Sequence, residues 1–237
     1  GVDNKSVSAY VEVLMYTHMT VRFFLRAFTG HVLPAYGFDV LNGKVSIHTE
    51  LVPSRPGGNT LHDAAAQRFK SSDWIAVLWQ AAFTLAKIQM RHPDWMHRDM
   101  HGNNVLVRHG DVVLQYHVDG AAVLVPTCLD LRFFDYDWSC CKSMGIFNPK
   151  QPLGTRYRQP DVQTTNDTTR VADLVRVAKY VRRGLRHATD RDSEYNLYAT
   201  KFAQRVMPSS DDGVPISMID YNEQVHNTYA GKTPATV

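Results

Sequence analysis

Apolar residues along this chain recur first at helical and later at alternating spacing, and the switches between the two mark its elements. From Ser6 to Phe28, the residues Val7, Val11, Leu14, Met15, Tyr16, Val21, Phe24 and Leu25 fall at roughly helical intervals. Gly30 follows as a stop, so one helix is predicted. Glu12 sits among these apolar positions, where a solvated helix face would also put it. His31 to Val40 and Lys44 to Val52 read as two strands joined by an Asn42-Gly43 hairpin turn. Pro53 to Asn59, with two prolines and two glycines, reads as a linker. A short helix is predicted over Thr60 to Phe69 and a stronger one from Ser72 or Asp73 to Arg91. In the latter, Ser-Ser-Asp supplies the cap, and Trp74, Val77, Leu78, Ala81, Leu85 and Ile88 form a broad apolar stripe before Pro93 ends it.

Beyond Pro93 the pattern turns strand-like. Val105 to Val107, Val112 to Val118, Ala121 to Val125 and Leu129 to Phe134 read as short strands, with turns at His109-Gly110-Asp111 and Asp119-Gly120. An apolar helix runs from Val171 to Val181. From Pro208 the pattern predicts a loop, a short helix near Ile216 to Tyr229 and a frayed end.

Composition narrows the classes. The 237 residues suffice for one large domain or two small lobes, and 44% hydrophobic content supports a proper core. With 26 Lys+Arg against 23 Asp+Glu, the whole-chain charge demands neither a nucleic acid nor a membrane partner. Three cysteines, Cys128, Cys140 and Cys141, give no disulfide framework or zinc spacing, which points to a reducing, intracellular compartment. No apolar run reaches transmembrane length, and no signal peptide is visible. The run Arg176, Lys179, Arg182, Arg183 and Arg186 lacks aromatic interleaving and reads as a solvated helix face rather than a nucleic-acid surface. Cys140-Cys141 reads as a buried inert pair, and His117, His187 and His226 have no metal-ligand spacing.

The stretch with the most chemical content is His97-Arg98-Asp99-Met100-His101-Gly102-Asn103-Asn104, running into Val105-Leu106-Val107. An aspartate and an asparagine at this spacing, in a loop entering a strand, suit phosphoryl transfer. The carboxylate takes the proton of an incoming hydroxyl, and the amide oxygen joins a magnesium shell. Asp135, at the end of an apolar strand, is placed to be a second hard-oxygen magnesium ligand, and a plain turn aspartate is the other reading.

In order and residue type, these parts resemble the protein kinase superfamily over nearly the whole chain, from Glu12 to at least the helix around Leu174. His97-Arg98-Asp99 with Asn104 resembles the catalytic loop, and Asp135-Tyr136-Asp137 stands where kinases carry Asp-Phe-Gly. Gly154-Thr155-Arg156-Tyr157-Arg158-Gln159-Pro160-Asp161 is similar to the substrate-docking loop and its Ala-Pro-Glu end. Asp173 falls where the family has an aspartate bracing the catalytic loop. His101 in place of the usual lysine, the long hairpin from Asn104 to Asp135 and Asp-Tyr for Asp-Phe are similar to haspin. The retained Gly154 to Asp161 segment is not, and divergent kinases of large DNA viruses fit about as well.

The resemblance implies an α+β, two-lobed kinase-like fold with an incomplete N-lobe: residues 1–52 as a partial N-lobe, 53–59 as hinge and 60–237 as a mainly helical C-lobe. It implies transfer of the ATP γ-phosphate to Ser or Thr of a protein substrate, a histone tail being suggested by the haspin likeness alone. Asp99 would be the base, Asn104 and Asp135 would hold magnesium, and His101 would touch the transferring phosphate or Asp99. Thr155 would hydrogen-bond the catalytic aspartate, or be a plain loop hydroxyl. Arg98 would face the activation segment, with Asp161 ending it. Thr49 would be the gatekeeper, Glu50 to Val52 would meet the adenine edge, and Leu106 would floor the pocket. Glu12 would be the helix glutamate of the family's lysine pair, and Tyr16 one turn later would stack towards Tyr136 or be simple core.

One departure stands out. No Gly-rich loop is present, and no lysine precedes Glu12 where a strand could carry it, Lys5 lying on or beside the same helix. The chain opens on Gly, and the expectation is that the first strands were cut away. A pseudokinase or scaffold, and a small-molecule kinase of the aminoglycoside or choline type, are the other readings, the docking-loop segment arguing against the last.

Overall fold

A helix of 21 residues, α3 (Ser71–Arg91), carries a broad apolar stripe into the core. Trp74, Val77, Leu78, Ala81, Leu85 and Ile88 are all fully buried, each contributing about 1.5–3 kcal/mol by leaving water, the alanine less. A computed structural model describes residues 4–26, 29–147 and 168–206 of the chain. In order these form α1 (Asn4–Met19), β1 (Ala35–Leu41), β2 (Lys44–Thr49), α2 (Leu61–Ala64) and α3. Next come β3 (Val105–Val118), β4 (Ala121–Phe133), β5 (Cys140–Cys141), β6 (Ile146–Phe147), α4 (Thr168–Leu185) and α5 (Glu194–Val206). The described architecture is α+β, with three separate two-stranded antiparallel sheets and several helices.

The single helix predicted from Ser6 to Phe28 is α1 followed by a π-helical turn over Thr20–Phe24. The wider turn, closed by Leu25 N–H donating to the Thr20 carbonyl at 2.9 Å, points Phe23 into the core. It also frees the Thr20 hydroxyl to accept from the Ala35 amide at 2.8 Å. The strand expected from His31 starts only at Ala35. His31 to Leu33 instead run beside the end of β4, through Leu33 N–H to the Phe133 carbonyl (2.9 Å) and Phe133 N–H to the His31 carbonyl (2.8 Å). Asn42 and Gly43, both at positive φ (52° and 72°), make the two-residue turn predicted between β1 and β2.

The helix expected over Thr60 to Phe69 stops at Ala64, although Thr60 and Asp63 form a full capping box. Lys70 must lie extended to begin α3, and Phe69 turns to meet Trp74 and His109, ring centroids 6.0 and 5.7 Å away. Four short strands were expected between Val105 and Phe134; two long ones form. The His109-Gly110-Asp111 turn is a β-bulge instead. Pairing runs His109↔Leu129 and then Val112↔Thr127, so Gly110 and Asp111 together face Cys128. Gly110, at φ +151°, supplies the backbone this requires. The buried Gln80 of α3 satisfies the β4 edge, donating to the Leu129 carbonyl (2.7 Å) and accepting from Leu131 N–H (2.8 Å).

Candidate functional site

The His97–Asn104 loop hangs between α3 and β3. Upstream, Met96 and Cys140 exchange both backbone hydrogen bonds at 3.0 Å, tying the loop to the segment that follows Asp135. Downstream, a 3₁₀ turn over Gly102–Asn104 is capped by His101 Nδ1, which accepts from Asn103 N–H at 3.2 Å. The fold thus fixes both ends of the loop.

Asp99, His101 and Asn104 converge. Asn104, 4% exposed, donates from Nδ2 to the Asp99 carbonyl (3.0 Å) and to Asp99 Oδ2 (3.2 Å). His101 Nε2 lies 3.5 Å from the same carboxylate oxygen. The Asp99 and His101 side chains remain 28% and 37% exposed, so a hydroxyl-bearing molecule can reach them. With Nδ2 engaged, Oδ1 is the Asn104 side-chain atom that can accept a further bond.

Beneath the loop, Asp173 of α4 braces its backbone: Oδ2 accepts from His97 N–H at 2.8 Å. Arg176, one turn on, lies 3.6 Å from Asp173 Oδ1 and donates to the Arg98 carbonyl. This corrects the reading of Arg176 as part of a solvated basic face; the Asp-x-x-Arg spacing on a helix was the available signal. His97 is fully buried, and burial lowers its pKa more than the charges of Asp173, Asp99 and Asp135 raise it. It is therefore neutral, and its Nε2 pairs with the Phe134 carbonyl at 2.9 Å. Tyr136 sits between His97 and Tyr16, ring centroids 5.3 and 4.9 Å away, and the Tyr16 hydroxyl accepts from Asp135 N–H at 3.1 Å. An aromatic column therefore links α1 to the loop.

Four non-glycine residues among those described have positive φ. Asn42 and Asp119 make hairpin turns, but Arg98 (69°) and Asp135 (62°) flank the candidate site. Left-handed backbone costs such residues of order 1 kcal/mol or more and persists only where surrounding contacts enforce it. Here the enforcing contacts are Arg176 on the Arg98 carbonyl and Tyr16 on the Asp135 amide.

Asp135 and Asn104 offer a carboxylate and an amide oxygen, hard donors of the kind magnesium takes while keeping water or phosphate in its other positions. Among the described residues no group of three or more His, Cys, Asp or Glu could hold a metal. Glu12 is half-buried near Asp135, and burial, then the Asp135 charge, push its carboxyl up to about 7. No ion pair to a lysine or arginine holds it down among the described residues.

Thr49 ends β2, half-buried, its hydroxyl 3.4 Å from the Glu50 carbonyl. Val52 is buried, and its carbonyl accepts from Asn59 Nδ2 at 3.2 Å. Leu106, half-buried, pairs across the hairpin with Arg132 and bridges to Thr60. The Glu50 side chain has a role the sequence did not suggest, spanning Arg108 Nη1 and Arg132 Nε, both at 3.3 Å. Those arginines share Asp130, at 2.8 and 2.6 Å. Burial alone would raise the Asp130 carboxyl, but its bonds from His31 and Arg132 outweigh this and hold it well below the usual range. Their alternation, Leu106 with Arg108 opposite Arg132 and Asp130, was legible; the partners across the cleft were not. Gly102 was also missed: a Cβ there would sit 2.6 Å from the Tyr180 ring of α4 and 2.9 Å from His62 N.

Thr155 and Asp161, with the whole Gly154 to Asp161 segment, lie outside the described residues, as does the tail from Pro208. No protein-family model matches the chain, and no curated protein matches it. No helix among the described residues is long and apolar enough to cross a membrane.

Proposed function

We propose that this chain is a protein-kinase-like phosphotransferase, with β1–β2 and α1 belonging to a small front lobe and the segment from Thr60 to a helical rear lobe. The substrate pair is ATP and a protein serine or threonine. The observation that carries the reading is Asp99 held between the Asn104 amide and the His101 imidazole, on a loop whose backbone Asp173 and Arg176 clamp from below.

In this reading the Asn104 amide keeps the Asp99 carboxylate turned towards an incoming hydroxyl, so the gain is positioning rather than strong basicity. Asp99 accepts the hydroxyl proton as the oxygen attacks the γ-phosphorus and the bond to the ADP oxygen breaks. His101 donates towards the transferring group or steadies Asp99. Asn104 and Asp135 would hold magnesium, whose charge would offset that of the phosphates. Thr49, the Glu50 to Val52 backbone and Leu106 would border the purine, the Glu50 side chain being engaged by Arg108 and Arg132.

The test is transfer of labelled γ-phosphate from ATP to generic protein substrates. Incorporation that falls by a factor of about 10³ or more in Asp99→Asn supports the reading. Full activity in that variant overturns it. Glu12, without an ion pair among the described residues, favours one alternative, a scaffold that binds partners without transferring phosphate; wild type inert in the transfer assay but still binding ATP would select it.

A further inference from the structure

Away from the Asp99 loop, a cavity of about 320 Å³ opens between the β3–β4 hairpin, α3 and the Thr29–His31 segment. None of Asp99, His101, Asn104 or Asp135 lines it. Its volume suits a small molecule rather than a water cluster. We propose that this cavity binds a small phosphate-bearing molecule between Lys87, Arg108 and Arg132.

Three features carry the assignment. The first is charge. Lys87, Arg108 and Arg132 all line the cavity, against one lining carboxylate, Asp130. Even counting Glu50 behind the arginines, positive charge is left over. The second is preorganisation. Arg132 is 7% exposed, and its guanidinium plane is fixed by Asp130, Glu50 and the Leu131 carbonyl. Arg108 is held by Asp130 and Glu50. Guanidinium groups set in place by carboxylates lose little freedom when they meet a phosphate, whose oxygens match their geometry. The third is a lining cation without a carboxylate partner among the described residues. Lys87 Nζ rests over the Phe83 ring, 5.2 Å from its centroid, and has no ion pair among the described residues.

Beside the charges the lining is aromatic, Phe83 and Tyr116 meeting edge to face at 4.8 Å. That surface would carry the carbon skeleton of a phosphate monoester. Because none of Asp99, His101, Asn104 or Asp135 takes part, the binding test does not depend on phosphotransfer by those groups.

The experiment is calorimetric titration of the full chain with glycerol 3-phosphate and with inorganic phosphate at constant ionic strength, glycerol being the neutral control. Saturable binding of glycerol 3-phosphate, tighter than phosphate and absent for glycerol, is expected. Lys87→Gln, which keeps a polar side chain of similar length, should weaken it about tenfold by removing one charge-assisted hydrogen bond. Lys44→Gln on the β1–β2 hairpin should leave it unchanged. Trp79, whose ring lies 5.9 Å from Tyr116, should report the same event by fluorescence. No saturable binding overturns the proposal. So does unchanged affinity in Lys87→Gln, which would put the phosphate elsewhere, or equal loss in Lys44→Gln, which would make it general charge attraction.

Discussion

His18 and His92 make a pair whose titration can be read as stability. Their Nε2 atoms are 3.1 Å apart, joining the end of α1 to the end of α3, and Phe23 packs edge-on against both rings at 5.7 and 6.0 Å. One imidazole must donate and the other accept, so the contact needs at least one neutral ring. Burial, then the His92 and Arg22 charges, lower the His18 pKa from 6.5 to about 4. The folded value lies below the unfolded one, so the unfolded chain takes up the proton first. The stability tied to neutral His18 is therefore complete above pH 6.5 and is lost as pH falls towards about 4.

Fully expressed, that shift corresponds to about 3 kcal/mol. Solvent screening on the half-exposed His92 side reduces it to about 1–2 kcal/mol, of which about 1 kcal/mol should vanish between neutral pH and pH 5. The perturbation is His18→Phe, which keeps a ring beside Phe23 and removes the titration. Urea denaturation of wild type and variant at both pH values measures the difference. Buried His97 also contributes to the wild-type slope, so the relevant quantity is the difference between the slopes. If the variant loses as much stability as wild type over this interval, the His18 argument is wrong.

Three further outcomes are expected. Gly184→Ala should lower stability by about 1–3 kcal/mol or more, because its Cβ would lie 2.1 Å from the Trp74 ring where α4 crosses α3; an unchanged melting temperature would refute that packing. Asp173→Ala leaves the His97 amide and Arg176 without their shared carboxylate, and should cost about 3 kcal/mol in chemical denaturation, whereas a surface-like loss below 0.5 kcal/mol would contradict the brace. Burial pushes the Cys140 thiol up to about 11 and Cys128 to about 12, and raises Cys141. A thiol reagent near pH 8 should therefore label all three only after denaturation, and fast labelling of the native protein would overturn the assignment.

Local pattern was read correctly where one short-range force decides. The α3 stripe is legible because helical spacing puts Trp74, Val77, Leu78, Ala81, Leu85 and Ile88 on one side. Asn42-Gly43 and Asp119-Gly120 are legible because few residues accept positive φ in a two-residue turn. Helix and strand ends went astray where distant partners intervene. The Thr20 hydroxyl reaches Ala35, Phe69 leaves its helix for Trp74 and His109, and the hairpin absorbs a presumed turn as a bulge.

The same division holds at the site. Sequence alone singled out Asp99, His101 and Asn104, because their chemistry depends on spacing within one loop. The kinase resemblance implied Asp173 near the loop and offered Tyr16 towards Tyr136 or in the core; Asp173 accepts from His97 N–H, and the two tyrosine rings meet edge to face. Only tertiary structure decided that Arg176 clamps the Arg98 carbonyl, that Glu50 turns to Arg108 and Arg132, and that Tyr180 requires a glycine at position 102. Each of these joins residues far apart in the chain through a charge or a close contact. Neighbouring residues fix which groups are available; the packing of α4 and the hairpin around the loop fixes which groups meet.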